Sequence, residues 1–440
     1  MGGKIKDEDS APTRAVVASP NLKVVPSPTD NMTKRRLFRS SSRNARMFLA
    51  TISAVSLLWA GLAGNPEFAQ AQTATPAKGF RLPHTLPLTS FYDAPHPLPP
   101  GKPGELIRSE PIDQYNLPFE LSALRILYHS RTANGEDVAI SAVVLIPDGK
   151  PPASGWPAIA WAHEFRGSGR QCAPSLMKNL GAGPLLAMFA NLGYAVVATD
   201  YSGWGSDSGK PVLDMQSNAL DLIYSVPAAR AAVTQIGSKW IALGPFQGGL
   251  AAVAVAESEV RDPNYLGSVV TSGLADAQEA YQHYAQGSSS SNRMLLVLAS
   301  TVKALYPEFK VSDMLNDKAL PAYQHMAETC GGETEPEFRN EMLKPGWENN
   351  KFVKEFFSSN TPGQKRAHSP LLLIAGEADL AIPAAMSGKT VARMCKQGDR
   401  ILFLKYPDVD ASGVMGASVA DQISWIKARF AGYAAPSNCR

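Results

Sequence analysis

Along the chain, short continuous apolar runs alternate with longer stretches of helical period. "PAIAWAH" (Pro157 to His163), "GYAVVATD" (Gly193 to Asp200) and the Trp240 to Leu243 run read as buried strands, and "YLGSVVTSG" (Tyr265 to Gly273), "PLLLIAG" (Pro370 to Gly376) and "RILFLKY" (Arg400 to Tyr406) are three further strand candidates. Ahead of them, "LRILYHS" and "EDVAISAVVLIP" flank "RTANG", whose Asn-Gly pair marks a hairpin. Helices are predicted near 182–192, from about Leu213 to Gln235 with an interruption at Pro227, and around 384–396. A last helix is predicted over "ASVADQISWIKARFAG", where Val419, Ile423, Trp425, Ile426 and Phe430 form an apolar stripe.

A hairpin followed by strands alternating with helices predicts one doubly wound, mostly parallel α/β sheet with an antiparallel edge. The alternation stops between 275 and 366, where "QGSSSSNR", the acidic "GGETEPEF" and helical pieces such as "NRMLLVLASTVKAL" replace it. Because the sheet resumes afterwards, an inserted helical cap explains this segment better than a separate domain. The expected organisation is a basic leader (1–46), an apolar segment with a cleavage site (47–71) and a Pro-rich arm (72–120). The α/β core then occupies 121–274 and 367–440, with the cap at 275–366 between its two parts.

Composition changes the picture at the N-terminus. Ten Lys/Arg and five Asp/Glu fall in residues 1–71, leaving 32 against 34 of the chain's 42 and 39 in the remainder. That near-neutral body argues against nucleic acid as a partner. The basic stretch containing Lys34, Arg35, Arg36, Arg39, Arg43 and Arg46 precedes the apolar run "MFLATISAVSLLWAGLAG" and the small-x-small pair Ala69 and Ala71. These are the three parts of a secretory signal, and they predict export to the periplasm or beyond the cell. The alternative is an uncleaved anchor, in which case membrane contact runs through the leader alone. Export makes Cys172, Cys330, Cys395 and Cys439 disulfide candidates with three possible pairings. Their spacing fits no zinc site, no nucleotide loop is present, and no metal or cofactor is expected.

The stretch "KWIALGPFQGGLAAVAVAES" carries the chemistry question. It reads as a buried strand, a turn over Gly244-Pro245-Phe246-Gln247-Gly248-Gly249, and a small-residue helix. Strand, G-x-S-x-G and helix together form a nucleophile elbow, but the serine's place is held by Phe246. The alternative is that Phe246 is a core residue of an unrelated turn. Asp379 in "GEADLAIP" lies where a triad acid follows a later strand, and its plainer reading is a turn residue or the N-cap of the next helix. The loop after the last strand, "PDVDASGVMGAS", should supply a histidine and contains none.

Five blocks in order resemble the secretory-lipase family of α/β-hydrolases: "WAHEFRGSGRQCAPS", "GYAVVATDYSGWGS", "GPFQGG", "GEADLAIP" and "YPDVDASGVMGASVADQISWIKARFAG". They run from about Ala158 to Gly432. The resemblance implies an α/β-hydrolase fold and, for the family, hydrolysis of triacylglycerols and other carboxylic esters in lipid catabolism. Carried over by position, Phe246 takes the nucleophile's place, Ala411 the histidine's, and Asp379 keeps the acid. Pro245 replaces a histidine beside the nucleophile. Glu164 replaces a glycine of the oxyanion site, whose other member is Gln247, and an ionised carboxylate there opposes a developing negative oxygen.

A phenyl ring cannot attack a carbonyl and a methyl group cannot carry a proton. The expectation is therefore an exported lipase-fold pseudoenzyme without triad hydrolysis that binds an apolar or acyl small molecule under its cap. One alternative is an active esterase with relocated machinery, drawn from Ser202, Ser272, Ser412, His163, Asp408 and Asp410. The other is a purely structural or interaction protein.

Overall fold

The computed structural model describes residues 85–119, 121–210, 212–287, 289–328, 330 and 338–439, so the leader and the cleavage site lie outside the described residues. One nine-stranded sheet organises the rest: β1 (Leu106–Ile112), β2 (Ser122–Arg131), β3 (Asp137–Ile146), β4 (Trp156–Trp161), β5 (Ala195–Thr199), β6 (Ile236–Pro245), β7 (Tyr265–Thr271), β8 (Leu371–Gly376) and β9 (Ile401–Tyr406). Their spatial order is β1-β2-β3-β5-β4-β6-β7-β8-β9. β1 to β3 form an antiparallel edge, β3 joins β5 antiparallel, and pairing from β5 through β9 is parallel.

Alternate residues of each strand feed two cores. In β4, Ala158 and Ala160 face one apolar layer, while Ile159 and Trp161 face the other. The first layer is covered by the Met215–Ala232, Phe246–Glu257 and Ala384–Lys396 helices, and the second by the Gly183–Asn191 and Val419–Phe430 helices. This is the doubly wound arrangement of an α/β-hydrolase fold. The hairpin turn is as expected: Gly135 takes φ 85° and its N–H donates to the Thr132 carbonyl at 2.9 Å.

Three details depart from the sequence-based expectation. The Pro-rich arm is not merely extended, because Leu106–Ile112 within it pairs with β2 as the edge strand. An edge position tolerates Pro111, which has no N–H to donate. Pro227 does not interrupt its helix, which runs continuously over Met215–Ala232. Buried Ile223 and Val226 on one side of the proline, and Ala228 and Ala229 on the other, hold the helix to the sheet past the missing hydrogen bond. At the elbow, Gly248 and Gly249 belong to the helix rather than to a preceding turn, because the helix begins at Phe246.

Between β7 and β8 the described residues form helices joined by loops, and isolated bridges pair Leu315 with Leu343 and Cys330 with Gly167. The Ala277–Gln286, Ser289–Leu305, Leu320–Glu328 and Lys351–Ser359 helices build their own core from Leu295, Leu298, Val302, Phe309, Phe338 and Phe356. A disulfide between Cys172 and Cys330 ties this insertion to the segment after β4, and a second joins Cys395 to Cys439. No described helix is long and apolar enough to cross a membrane.

Candidate active site

β6 ends at Pro245 and the helix starts at the next residue, so strand becomes helix with no loop between. Only a backbone without Cβ atoms passes so close to its neighbours. A Cβ on Gly244 would lie 2.6 Å from the Ala162 carbonyl oxygen, and one on Gly248 only 1.9 Å from the same oxygen. One on Gly249 would meet the Val270 Cγ1 at 2.7 Å. Phe246 stands at the apex with φ 47°. A bulky residue in the left-handed region costs roughly 1–3 kcal/mol and persists only where the surroundings enforce it. The strained backbone of an elbow is thus kept under a side chain that has no use for it.

Phe246 forms part of the wall of a cavity of about 430 Å³. On the sheet side the wall is made by Glu164, Phe246, Gln247, Ser272 and Ala411. On the insertion side it is made by Tyr281, Tyr284, Met294 and Phe356. Ala381 and Ile382 also line it, and their N–H groups donate to the Asp379 Oδ1 at 2.8 and 2.9 Å. Four of the sequence-predicted positions, Glu164, Phe246, Gln247 and Ala411, therefore line one hollow, and Asp379 is hydrogen-bonded to its edge at Ala381 and Ile382. Asp379 is a turn residue, as the plainer reading had it, but not an N-cap, since Pro383 caps the following helix.

Asp379 is 2% exposed, and its Oδ2 has no hydrogen-bond partner. Burial raises its pKa above the ordinary carboxylate value, partly offset by the Ile382 and Ala381 amides. The imidazole that would engage such an oxygen in a triad has no counterpart at Ala411. Instead the Ala411 carbonyl accepts a hydrogen bond from the Ser272 Oγ at 2.8 Å. Glu164 is not the bare carboxylate expected from sequence, because Arg166 pairs with it and also donates to the Gly181 carbonyl at 2.9 Å.

The model for secretory lipases matches residues 184–438, more than half of the chain. The chain belongs to the secretory lipase family. No curated protein matches it in sequence. Among solved structures, Candida antarctica lipase A in its closed state superposes with a TM-score of 0.68 at 17% identity, covering 81% of this chain and 89% of that one. The rice cell wall degrading esterase LipA from Xanthomonas oryzae gives 0.62 at 18% identity, covering 75% and 98%. At such identities these likenesses concern the fold alone.

Set against the family's serine and histidine, the alternative machinery is dispersed. His163 is 2% exposed, with Nδ1 2.7 Å from the Glu164 carbonyl oxygen and Nε2 3.1 Å from that of Asp200. Both ring nitrogens face backbone carbonyls, to one of which the neutral ring donates its single N–H, and the ring packs against Tyr201 with centroids 4.4 Å apart. It is a structural histidine, and burial lowers its pKa. Ser202 is buried and Ser412 exposed, and neither is among the cavity-lining residues. Asp410 accepts from the Gly413 N–H at 2.7 Å, and Asp408 is exposed with φ 56°. Of the candidate hydroxyls only Ser272 reaches the cavity, and its proton is directed at a carbonyl.

Two features escaped the sequence. His283, from the insertion, places Nε2 2.8 Å from the Leu380 carbonyl oxygen, beside the Asp379 turn. Asn218 lines the cavity from the Met215–Ala232 helix. Neither residue carries a local signal, since a single His or Asn in a helix looks like any other surface residue until the insertion and sheet are folded together.

Proposed function

We propose that this secretory-lipase-family protein is exported and binds an apolar or acyl small molecule in the cavity beside Phe246, without hydrolysing esters through a serine triad. The observation that carries this reading is the pairing of an elbow backbone held at φ 47° with a phenyl side chain. The position that ordinarily delivers the nucleophile contributes apolar wall instead. Losing triad members leaves only about 10³ to 10⁴-fold catalysis over water, from binding and the oxyanion site. Here Glu164 stands in the oxyanion region as well. A hollow of about 430 Å³ walled largely by aliphatic and aromatic groups suits a ligand that is mostly hydrocarbon. Two disulfides and family membership support an oxidising, extracytoplasmic setting.

The test is extraction of the purified protein followed by lipid mass spectrometry, with thermal unfolding in the presence of added medium-chain lipids. A bound acyl species, or a melting temperature that climbs with lipid concentration, is expected. An empty protein whose melting temperature ignores every lipid would leave only the structural reading. Restoring the family residues by Phe246→Ser, Ala411→His and Glu164→Gly together should bring back turnover of short p-nitrophenyl esters, since the hollow is already shaped for an acyl chain.

A further inference from the structure

Apart from the Tyr281 and Tyr284 hydroxyls, the cavity's polar residues fall into two groups. Three are engaged within the protein. Glu164 pairs with Arg166, and Ser272 donates to the Ala411 carbonyl. Asn360 accepts from the Met215 N–H at 2.8 Å and donates to the Phe356 carbonyl at 3.1 Å. Two are not engaged. Asn218 is 1% exposed and Gln247 9% exposed, and the oxygen and nitrogen of both side-chain amides have no hydrogen-bond partner. Buried amides without partners are uncommon, because each forgoes its bonds to water and gains nothing in exchange. Two of them lining one apolar hollow call for an occupant that supplies what they lack.

Resting on the ligand-binding reading above, we infer that Asn218 and Gln247 together recognise the head of the ligand. That head is an uncharged group which both donates and accepts hydrogen bonds, such as the amide or hydroxyl end of a long-chain molecule. Each side-chain amide offers a donor and an acceptor, so only a head with both can satisfy the pair. An ionised carboxylate accepts only and would leave the two amide oxygens unpaired. It would also be taken out of water without a counter-charge, because the described lining contains no Lys, Arg or His and does contain Glu164. The apolar tail would then lie along Met294, Tyr281 and Phe356.

The experiment compares decanamide, decan-1-ol and decanoate by isothermal titration calorimetry on the full protein, at a pH where decanoate is ionised and below micelle formation. The amide and the alcohol should bind at least roughly tenfold more tightly than decanoate. In the double variant Asn218→Leu, Gln247→Met that preference should fall to about twofold or less, while the ligand-free protein melts no lower than the parent. Decanoate binding as tightly as the neutral ligands, or a preference that survives the double variant, would overturn the inference and leave the ligand-binding reading standing. Binding of none of the three would remove both. If the variant does not fold, the ranking on the parent protein decides alone.

Discussion

The two walls of the cavity obey different constraints. The sheet-side wall is set by backbone: Gly244, Gly248 and Gly249 leave no room for a Cβ, and Phe246 is forced to φ 47°. The insertion-side wall is set by side chains. Tyr281 stacks on Phe357 at 5.8 Å and meets Phe356 edge-on at 6.1 Å within a core of its own. A backbone-determined wall keeps its shape when the reacting side chains are exchanged, because those side chains were never what shaped it. On the proposed reading, that is how a family member can replace nucleophile, base and an oxyanion residue and still enclose a hollow of about 430 Å³. A side-chain-determined wall has no such independence, and its shape changes with its residues.

This contrast can be broken most violently at Gly248. Gly248→Ala drives a methyl group to 1.9 Å from the Ala162 carbonyl, which neither strand nor helix can yield. Loss of roughly 3 kcal/mol or more of unfolding free energy, or failure to fold, is expected from denaturant titration. On the opposite wall, Phe356→Ala removes a ring that is 1% exposed and leaves a void. It should cost about 3 kcal/mol, and it should also abolish stabilisation by lipid, since the tail's wall is gone. A Gly248 variant that melts like the parent would show that the elbow backbone is not constrained as described.

A smaller effect lies where the elbow helix meets the segment returning from the insertion. Glu257, at the end of that helix, accepts the Gly363 N–H at 2.6 Å, and burial lifts its pKa from 4.5 to about 7. The folded chain therefore holds a proton that the unfolded chain has released. The stability this group contributes is greatest at acid pH and is lost as pH rises from 4.5 to about 7. Glu257→Gln should flatten that slope, by roughly 1–3 kcal/mol across the interval in pH-dependent denaturation. An unchanged slope would assign the titration to another group, with the buried carboxyls Asp200 and Asp221, raised to about 6 and about 7, next in line.

The same division explains what the sequence disclosed. Strands β4 to β8 are legible because a strand buried on both faces is largely apolar, and β9, half-buried at the sheet's far edge, still carries the apolar run "ILFL". The elbow is legible because glycine spacing records a backbone requirement. The edge strand β1 is hidden because "LIRSEPI" mixes polar residues and a proline, as a strand with one unpaired side can afford. The unbroken helix across Pro227 is hidden because tertiary packing overrides a local preference there. At the site, Phe246, Gln247 and Asp379 follow from chain order, and Ala411 and Glu164 from the family resemblance. The Arg166 partner of Glu164 and the unpaired amide of Asn218 depend on side-chain neighbours that no spacing rule encodes.

The most direct test is intact-protein mass spectrometry after exposure to a fluorophosphonate, run beside an ester-hydrolysis assay on the same preparation. A serine activated by an imidazole reacts stoichiometrically with such a probe, whereas an unactivated hydroxyl does not. An unmodified mass and ester turnover no faster than buffer are expected. A single adduct on a cavity serine, Ser272 above all, with turnover that the adduct abolishes, would contradict it.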